Sequence, residues 1–128
     1  MRDFSVPGRS AAVAANGMVA TSAPRATLAG LDVLRSGGNA MDAAIAAVAV
    51  QGVVEPQSTG IGGDCFCLYS EGGGLPVALN GSGRAPKAAT VDWFAERQIR
   101  QIATQTAHAV TLPGAIDAWC TLNEQYGS

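Results

Sequence analysis

Arg84 is the residue of this 128-residue chain best placed to bind a charged group. It sits in Asn80-Gly81-Ser82-Gly83-Arg84-Ala85-Pro86, just past a run that reads as a strand, among neighbours too small to shield it. A guanidinium so presented takes a carboxylate in a bidentate grip, with about 1.5 to 3 kcal/mol for each charged hydrogen bond. An ordinary surface ion pair is an equal alternative at this point. The other reactive side chains promise less. A hydrolytic triad or a zinc site needs histidine with a positioned partner, and the one histidine, His108, has neither carboxylate nor cysteine beside it in sequence. It reads as a packed or surface imidazole. Cys65 and Cys67 alternate along a strand, which turns both thiols to one face, where buried cysteine behaves as a small hydrophobe. Cys120, next to Trp119 on a helix, reads the same way. The run Gly60-Ile61-Gly62-Gly63 follows a helix and enters a strand, the reverse of a dinucleotide fingerprint, and no GK[ST] is present for a P-loop. Asn80-Gly81-Ser82 fits a glycosylation sequon but reads as a turn. No metal and no cofactor is expected.

The elements that must carry these residues are organised around the stretch from Asn39 to Gly63. Residues 43–50 are apolar at every position, which predicts a helix enclosed on all sides. Asn39 is its expected N-cap, Asp42 places a carboxylate in the first turn, and Pro56 confines the helix to what precedes Glu55. Upstream, residues 1–16 read as an arm and residues 17–21 as a short buried strand. A helix with Ser22 as cap and Pro24 near its start then carries Leu28, Leu31 and Leu34 until Ser36-Gly37-Gly38 stops it. Downstream, Cys65-Phe66-Cys67-Leu68-Tyr69 predicts a strand buried on both faces, Glu71-Gly72-Gly73-Gly74 a turn, and residues 75–79 the return strand of a hairpin. Residues 90–100 suit a short helix capped by Thr90, residues 109–112 a short strand, and Ala115, Ile116, Trp119, Leu122 and Tyr126 fall at helical spacing.

Bulk properties remove whole classes of function. A formal net charge of −2, with eight scattered basic residues, gives no footprint for nucleic acid or an anionic membrane. The longest apolar run falls well short of the roughly 20 residues of a membrane span, and the N-terminus has no apolar core of a secretory signal. A cytoplasmic location is expected, or a periplasmic or secreted one if a signal has been removed. Three cysteines, an odd number, argue for a reduced protein without a disulfide framework.

Taken together, five blocks in register closely resemble the start of the γ-glutamyltranspeptidase family. They are Gly17-Met18-Val19-Ala20, residues 29–44 (AGLDVLRSGGNAMDAA), residues 54–63 (VEPQSTGIGG), residues 80–86 (NGSGRAP) and residues 110–115 (VTLPGA). The resemblance implies an α+β N-terminal nucleophile hydrolase, an αββα sandwich made as a precursor that cuts itself into a large and a small subunit. Residues 17–128 would be the N-terminal part of the large subunit, an incomplete domain. It implies cleavage of γ-glutamyl amides such as glutathione by a threonine nucleophile, with transfer of the acyl group to water or to an amino acid or peptide. The family's processing motif, threonine leading into histidine, is not found, since His108 follows Thr106-Ala107. No catalytic residue is therefore expected in this chain, which alone should be inactive. Its expected partners are the substrate, the small-subunit half and, through uncovered apolar faces, other copies of itself.

One loop departs from the family. The usual pattern is aspartate, any residue, arginine, glutamate, any residue, alanine, proline, in which the arginine holds the donor's carboxylate. Aligned on Ala85-Pro86, that arginine position holds Ser82, and Arg84 lies two residues later. Positions two apart on an extended segment share a side, so the resemblance implies Ser82 and Arg84 as substrate-binding residues. The shift equally fits a different donor, as in the acylase-like members of the superfamily. A non-catalytic interaction module is the remaining alternative, disfavoured by the apolar runs it would leave uncovered.

Overall fold

The computed structural model describes residues 11–128. Of the expected arm, residues 1–10 lie outside the described residues, and residues 11–16 are exposed and form neither helix nor strand. The elements run α1 (Pro24–Arg35), α2 (Ala40–Val54), β1 (Cys65–Tyr69), β2 (Val77–Gly81), α3 (Val91–Glu96), a 3-10 turn (Ala107–Ala109) and α4 (Ala115–Tyr126). Helices α1 and α2 pack on each other, and α4 touches both α2 and the antiparallel hairpin β1–β2. This is the expected mixture of helix and strand. No described helix is long and apolar enough to cross a membrane.

Local chemistry accounts for the helix ends. Asn39 Oδ1 accepts the N–H groups of Met41 and Asp42 at 2.8 and 3.1 Å, and the Asp42 carboxylate accepts the Asn39 N–H at 2.9 Å. This reciprocal box satisfies donors that the first turn of α2 would leave orphaned. The box also reaches α4, because Asn39 Nδ2 donates to the Tyr126 carbonyl at 2.7 Å and Asn123 Nδ2 to Asp42 at 3.2 Å. At α1 the expected cap is displaced. Ala23 occupies the N-cap with no side-chain bond, and Ser22, one residue too early, donates instead to Glu55 at 2.5 Å and accepts from Gln51 at 2.6 Å. Ser22 thereby ties the entry of α1 to the end of α2.

The core is built from small side chains. Ala23, Ala26, Met41, Ala43, Ala47, Ala115, Ala118 and Leu122 are its buried residues. Their size permits close approach. A Cβ on Gly30 of α1 would stand 3.1 Å from the Ala43 carbonyl of α2, and one on Gly81 of β2 would stand 2.5 Å from Ala118 Cβ of α4. Tyr69 and Tyr126, with ring centroids 4.8 Å apart, complete the seam between hairpin and α4.

Several expectations are corrected. Residues 17–21 form no strand, because no described segment pairs with them; Val19 and Gly17 instead lie against Gly30 and Leu34. Strand β1 is not covered on both faces. Cys65, Cys67 and Tyr69 turn inward while Phe66 and Leu68 stay 70% and 80% exposed, since among the described residues only α4 covers the pair. The return strand begins at Val77 rather than Leu75, because Pro76 has no N–H to give to a ladder. Helix α3 stops at Glu96, short of Arg100, and Gln98 takes a positive φ of 55° just beyond it. Residues 109–112 form no strand; the 3-10 turn ends at Ala109, and the chain then reaches α4 with the Leu112 N–H bonded to the Arg84 carbonyl but no ladder formed. Helix α2 is not enclosed on all sides either. Met41, Ala43 and Ala47 are buried and Val53 is 79% exposed, because the described residues cover only part of its circumference.

The two carboxylates at these helix ends give stability an acid limb. The Ser128 hydroxyl and then the Asn39 N–H hold Asp42 below its ordinary 3.8, and the Ser22 hydroxyl and Gln51 amide hold Glu55 below its ordinary 4.5. A carboxyl lowered on folding stabilises fully above its unfolded value and stops doing so as the pH falls through the folded one. The urea midpoint is expected to fall as the pH drops from above 4.5 to below 3.8. Asp42→Asn combined with Glu55→Gln should flatten that fall, and a double variant that tracks the wild type through the interval would contradict the assignment.

Candidate functional site

Three backbone segments meet beside the end of the hairpin. They are the glycine run before β1, the loop after β2, and the approach to α4. The Gly63 carbonyl accepts the N–H groups of both Gly114 and Ala115 at 3.0 Å each, and so serves the otherwise uncapped first turn of α4. The Leu112 N–H donates to the Arg84 carbonyl at 3.0 Å, joining the second and third segments. Asp64 Oδ1 accepts the Gly83 N–H at 2.7 Å, joining the first and second. Within the loop, Asn80 Oδ1 accepts the Ser82 N–H at 3.0 Å, a turn that bends the chain as it leaves β2.

Glycine is required at this junction by space. A Cβ on Gly83 would run into the Leu112 carbonyl, and one on Gly114 into the Gly81 carbonyl. Backbone thus lies directly on backbone. The result is a loop fixed through its main chain, with the side chains at positions 82 and 84 left to face outward. Ser82 and Arg84 are both exposed, Gly83 between them is partly covered, and Arg84 has no ion-pair partner among the described residues. The surface-ion-pair alternative for Arg84 therefore has no described carboxylate to supply it.

The other sequence candidates are not brought to this junction by any described hydrogen bond. His108 packs edge-on against Trp93 and Phe94, with centroid distances of 5.4 and 5.8 Å. It lines a pocket of about 200 Å³ with Pro86, Ala88 and Val110 and remains exposed, a surface imidazole in an aromatic setting. Burial, followed by the neighbouring Cys67, pushes the Cys65 thiol up, so it stays protonated and unreactive at neutral pH. Cys120 departs from its expected packing role, because it stands exposed on α4. No cluster of three or more metal-ligating side chains occurs among the described residues.

Asp64 is the residue that sequence reasoning passed over. A carboxylate directly after Gly60-Ile61-Gly62-Gly63 reads as the end of a turn, and only the pairing of β1 with β2 shows that it faces the Arg84 loop. The available signal was a charged residue placed at a strand entry between glycine and an apolar run.

The junction predicts a contrast between glycines. Gly83→Ala is expected to displace the loop from Leu112 and lower the thermal midpoint by several degrees, whereas Gly62→Ala, whose Cβ would meet nothing within 4 Å, should change it little. Equal midpoints for the two variants in a thermal melt would refute the steric account.

The chain is similar to known proteins. The sequence profile described as Gamma-glutamyltranspeptidase matches residues 26–128. "Glutathione hydrolase 2" of Arabidopsis thaliana is 38% identical over 115 residues, which is 90% of this chain and 20% of that protein. The crystal structure of cephalosporin acylase from Bacillus halodurans superposes with a TM-score of 0.85 at 45% identity, covering 98% of this chain and 24% of that one. Helicobacter pylori gamma-glutamyltranspeptidase superposes with a TM-score of 0.82 at 30% identity, covering 93% and 35%. The chain spans about a fifth of the length of the curated relatives it matches. Its α+β arrangement is accordingly part of the N-terminal nucleophile hydrolase fold of these neighbours. With a profile covering residues 26–128, the chain belongs to the γ-glutamyltranspeptidase family.

Proposed function

We propose that this chain is the N-terminal part of the large subunit of an enzyme that cleaves γ-glutamyl amides such as glutathione. The reaction runs through an acyl-enzyme. A threonine hydroxyl on another segment attacks the γ-carbonyl while its own α-amino group takes the hydroxyl proton. The C–N bond breaks, the amine leaves with a proton, and water, an amino acid or a peptide then takes the acyl group. No metal or cofactor enters this scheme. Residues 17–128 supply scaffold and one substrate-binding loop, with Arg84 gripping the donor carboxylate and Ser82 beside it on the same exposed side.

The observation that carries the reading is an exposed guanidinium, without a described ion-pair partner, on a loop anchored by backbone bonds. A guanidinium carried on an anchored backbone offers a planar carboxylate two parallel N–H donors. In the complete, processed enzyme, Arg84→Ala is expected to raise KM for a γ-glutamyl anilide by about 10-fold to 150-fold, the equivalent of about 1.5 to 3 kcal/mol for a charged hydrogen bond. An unaltered KM would sink the assignment.

A second reading has one observation in its favour, the serine at the family's arginine position, and the 45% identity to a cephalosporin acylase points the same way. It is an acylase acting on aliphatic acyl amides. Side-by-side turnover of γ-glutamyl and aliphatic acyl amides by the complete protein separates the two. Under either reading the 128-residue chain alone should release no chromophore from a γ-glutamyl anilide. With Val53, Phe66 and Leu68 largely exposed, it should also scatter light as more than a monomer. Turnover by the pure chain, or a monomeric mass, would contradict these expectations in turn.

A further inference from the structure

We infer that Asp64 is a positioning residue for the substrate-binding loop, setting the aim of Arg84 by holding the main chain one residue before it. This rests on the carboxylate-gripping role proposed for Arg84. The geometry is specific. Asp64 stands just ahead of β1, across the hairpin from the loop that follows β2, and its Oδ1 accepts the Gly83 N–H at 2.7 Å over 19 residues of sequence. Although it is the carboxylate bonded to this loop, it forms no ion pair with Arg84. Its charge is engaged by an amide, and the guanidinium of the next residue is left for a ligand.

Three hydrogen bonds fix the turn from different sides. Asn80 holds the Ser82 N–H, Asp64 holds the Gly83 N–H, and the Leu112 N–H holds the Arg84 carbonyl. Asn80 belongs to the turn itself, and the Leu112 bond is main chain to main chain, so it does not depend on the side chain at position 64. Among the described residues, Asp64 is therefore the one side chain from another segment that hydrogen-bonds to the turn. A charged acceptor on an N–H makes a shorter and stronger bond than a neutral one, and it holds the backbone on one side of Arg84 while Leu112 holds the Arg84 carbonyl.

Asp64 also accounts for the departure of this loop from the family pattern. The position that the pattern gives to glutamate is here Gly83, whose Cβ would run into the Leu112 carbonyl, so no carboxylate can be carried there. A carboxylate reaches the same turn from the neighbouring strand instead. The displaced arginine and the carboxylate at the strand entry are then two parts of one rearrangement.

The test uses the complete, processed enzyme and a γ-glutamyl anilide, whose carboxylate is the group Arg84 would hold. Asp64→Ala is expected to raise KM by about tenfold with kcat within about twofold, because a misaimed Arg84 weakens the hold on substrate and leaves the reacting atoms untouched. Asp64→Asn keeps an oxygen that can accept from Gly83 and should stay within about threefold of the wild type. Adding Asp64→Ala to Arg84→Ala should raise KM no further, the coupling expected when one residue acts through the other. Asp64→Ser, too short to span the bond, replaces Asp64→Ala if the latter is not recovered folded. A KM within about twofold of wild type for the alanine or serine variant overturns the inference. So does an asparagine variant as impaired as alanine, or full additivity with Arg84→Ala. If Arg84→Ala itself leaves KM unchanged, what fails is the carboxylate-gripping role on which the inference stands, a distinct result.

Discussion

The Gly63 carbonyl is the group on which the described structure depends most. Helix α4 begins at a glycine with no side-chain cap, so its first amides would be unpaired where the chain arrives from an irregular stretch. One carbonyl accepting from both Gly114 and Ala115 supplies the cap from outside the helix. The start of α4 is thereby pinned to the entry of β1, and the rest of the helix must lie along the hairpin. Gly81 facing Ala118 and Tyr69 facing Tyr126 are consequences of that placement. At the other end of α4 the Asn39–Asp42 box takes hold of Tyr126 and Asn123, so the helix is fixed to β1 at its beginning and to α2 at its close.

Signals that act over a few residues were legible in the sequence. Asn39 with Asp42 three residues on, Pro56 two residues beyond the last helical position, and the glycine turn at residues 71–74 all do locally what their chemistry requires. Signals that depend on a neighbour were not. Whether residues 17–21 become a strand, or β1 is covered on both faces, is decided by what lies alongside, and an apolar run reads the same with or without a partner. Ser22 is an intermediate case, because a hydroxyl one position before the cap has its bonds chosen by whatever stands opposite, here Glu55 and Gln51. The candidate site divides in the same manner. Arg84 was visible as a cation among small residues, whereas Asp64 takes its meaning only from strand pairing.

Family membership and loop chemistry constrain function at different levels. The blocks that place the chain in the γ-glutamyltranspeptidase family are largely scaffold: the α1–α2 pair, the glycine run, and the lead into α4. They would be kept by any member that needs this frame, which is why a glutathione hydrolase and a cephalosporin acylase match the same stretch. Substrate choice belongs to the side chains that the frame presents. For the role proposed above, those are Ser82 and Arg84, both exposed on the loop after β2.

Rigidity at this loop comes from main chain rather than from packed side chains, and that has a functional reason. A binding loop stabilised by buried side chains would have to turn some of them inward, leaving fewer to face a ligand. At residues 82–84 the anchoring is done by the N–H groups of Ser82 and Gly83 and the carbonyl of Arg84, so the side chains on either side of Gly83 remain free to point away. Glycine at position 83 is the condition for this arrangement, because only a residue without Cβ allows the Leu112 backbone to approach closely enough.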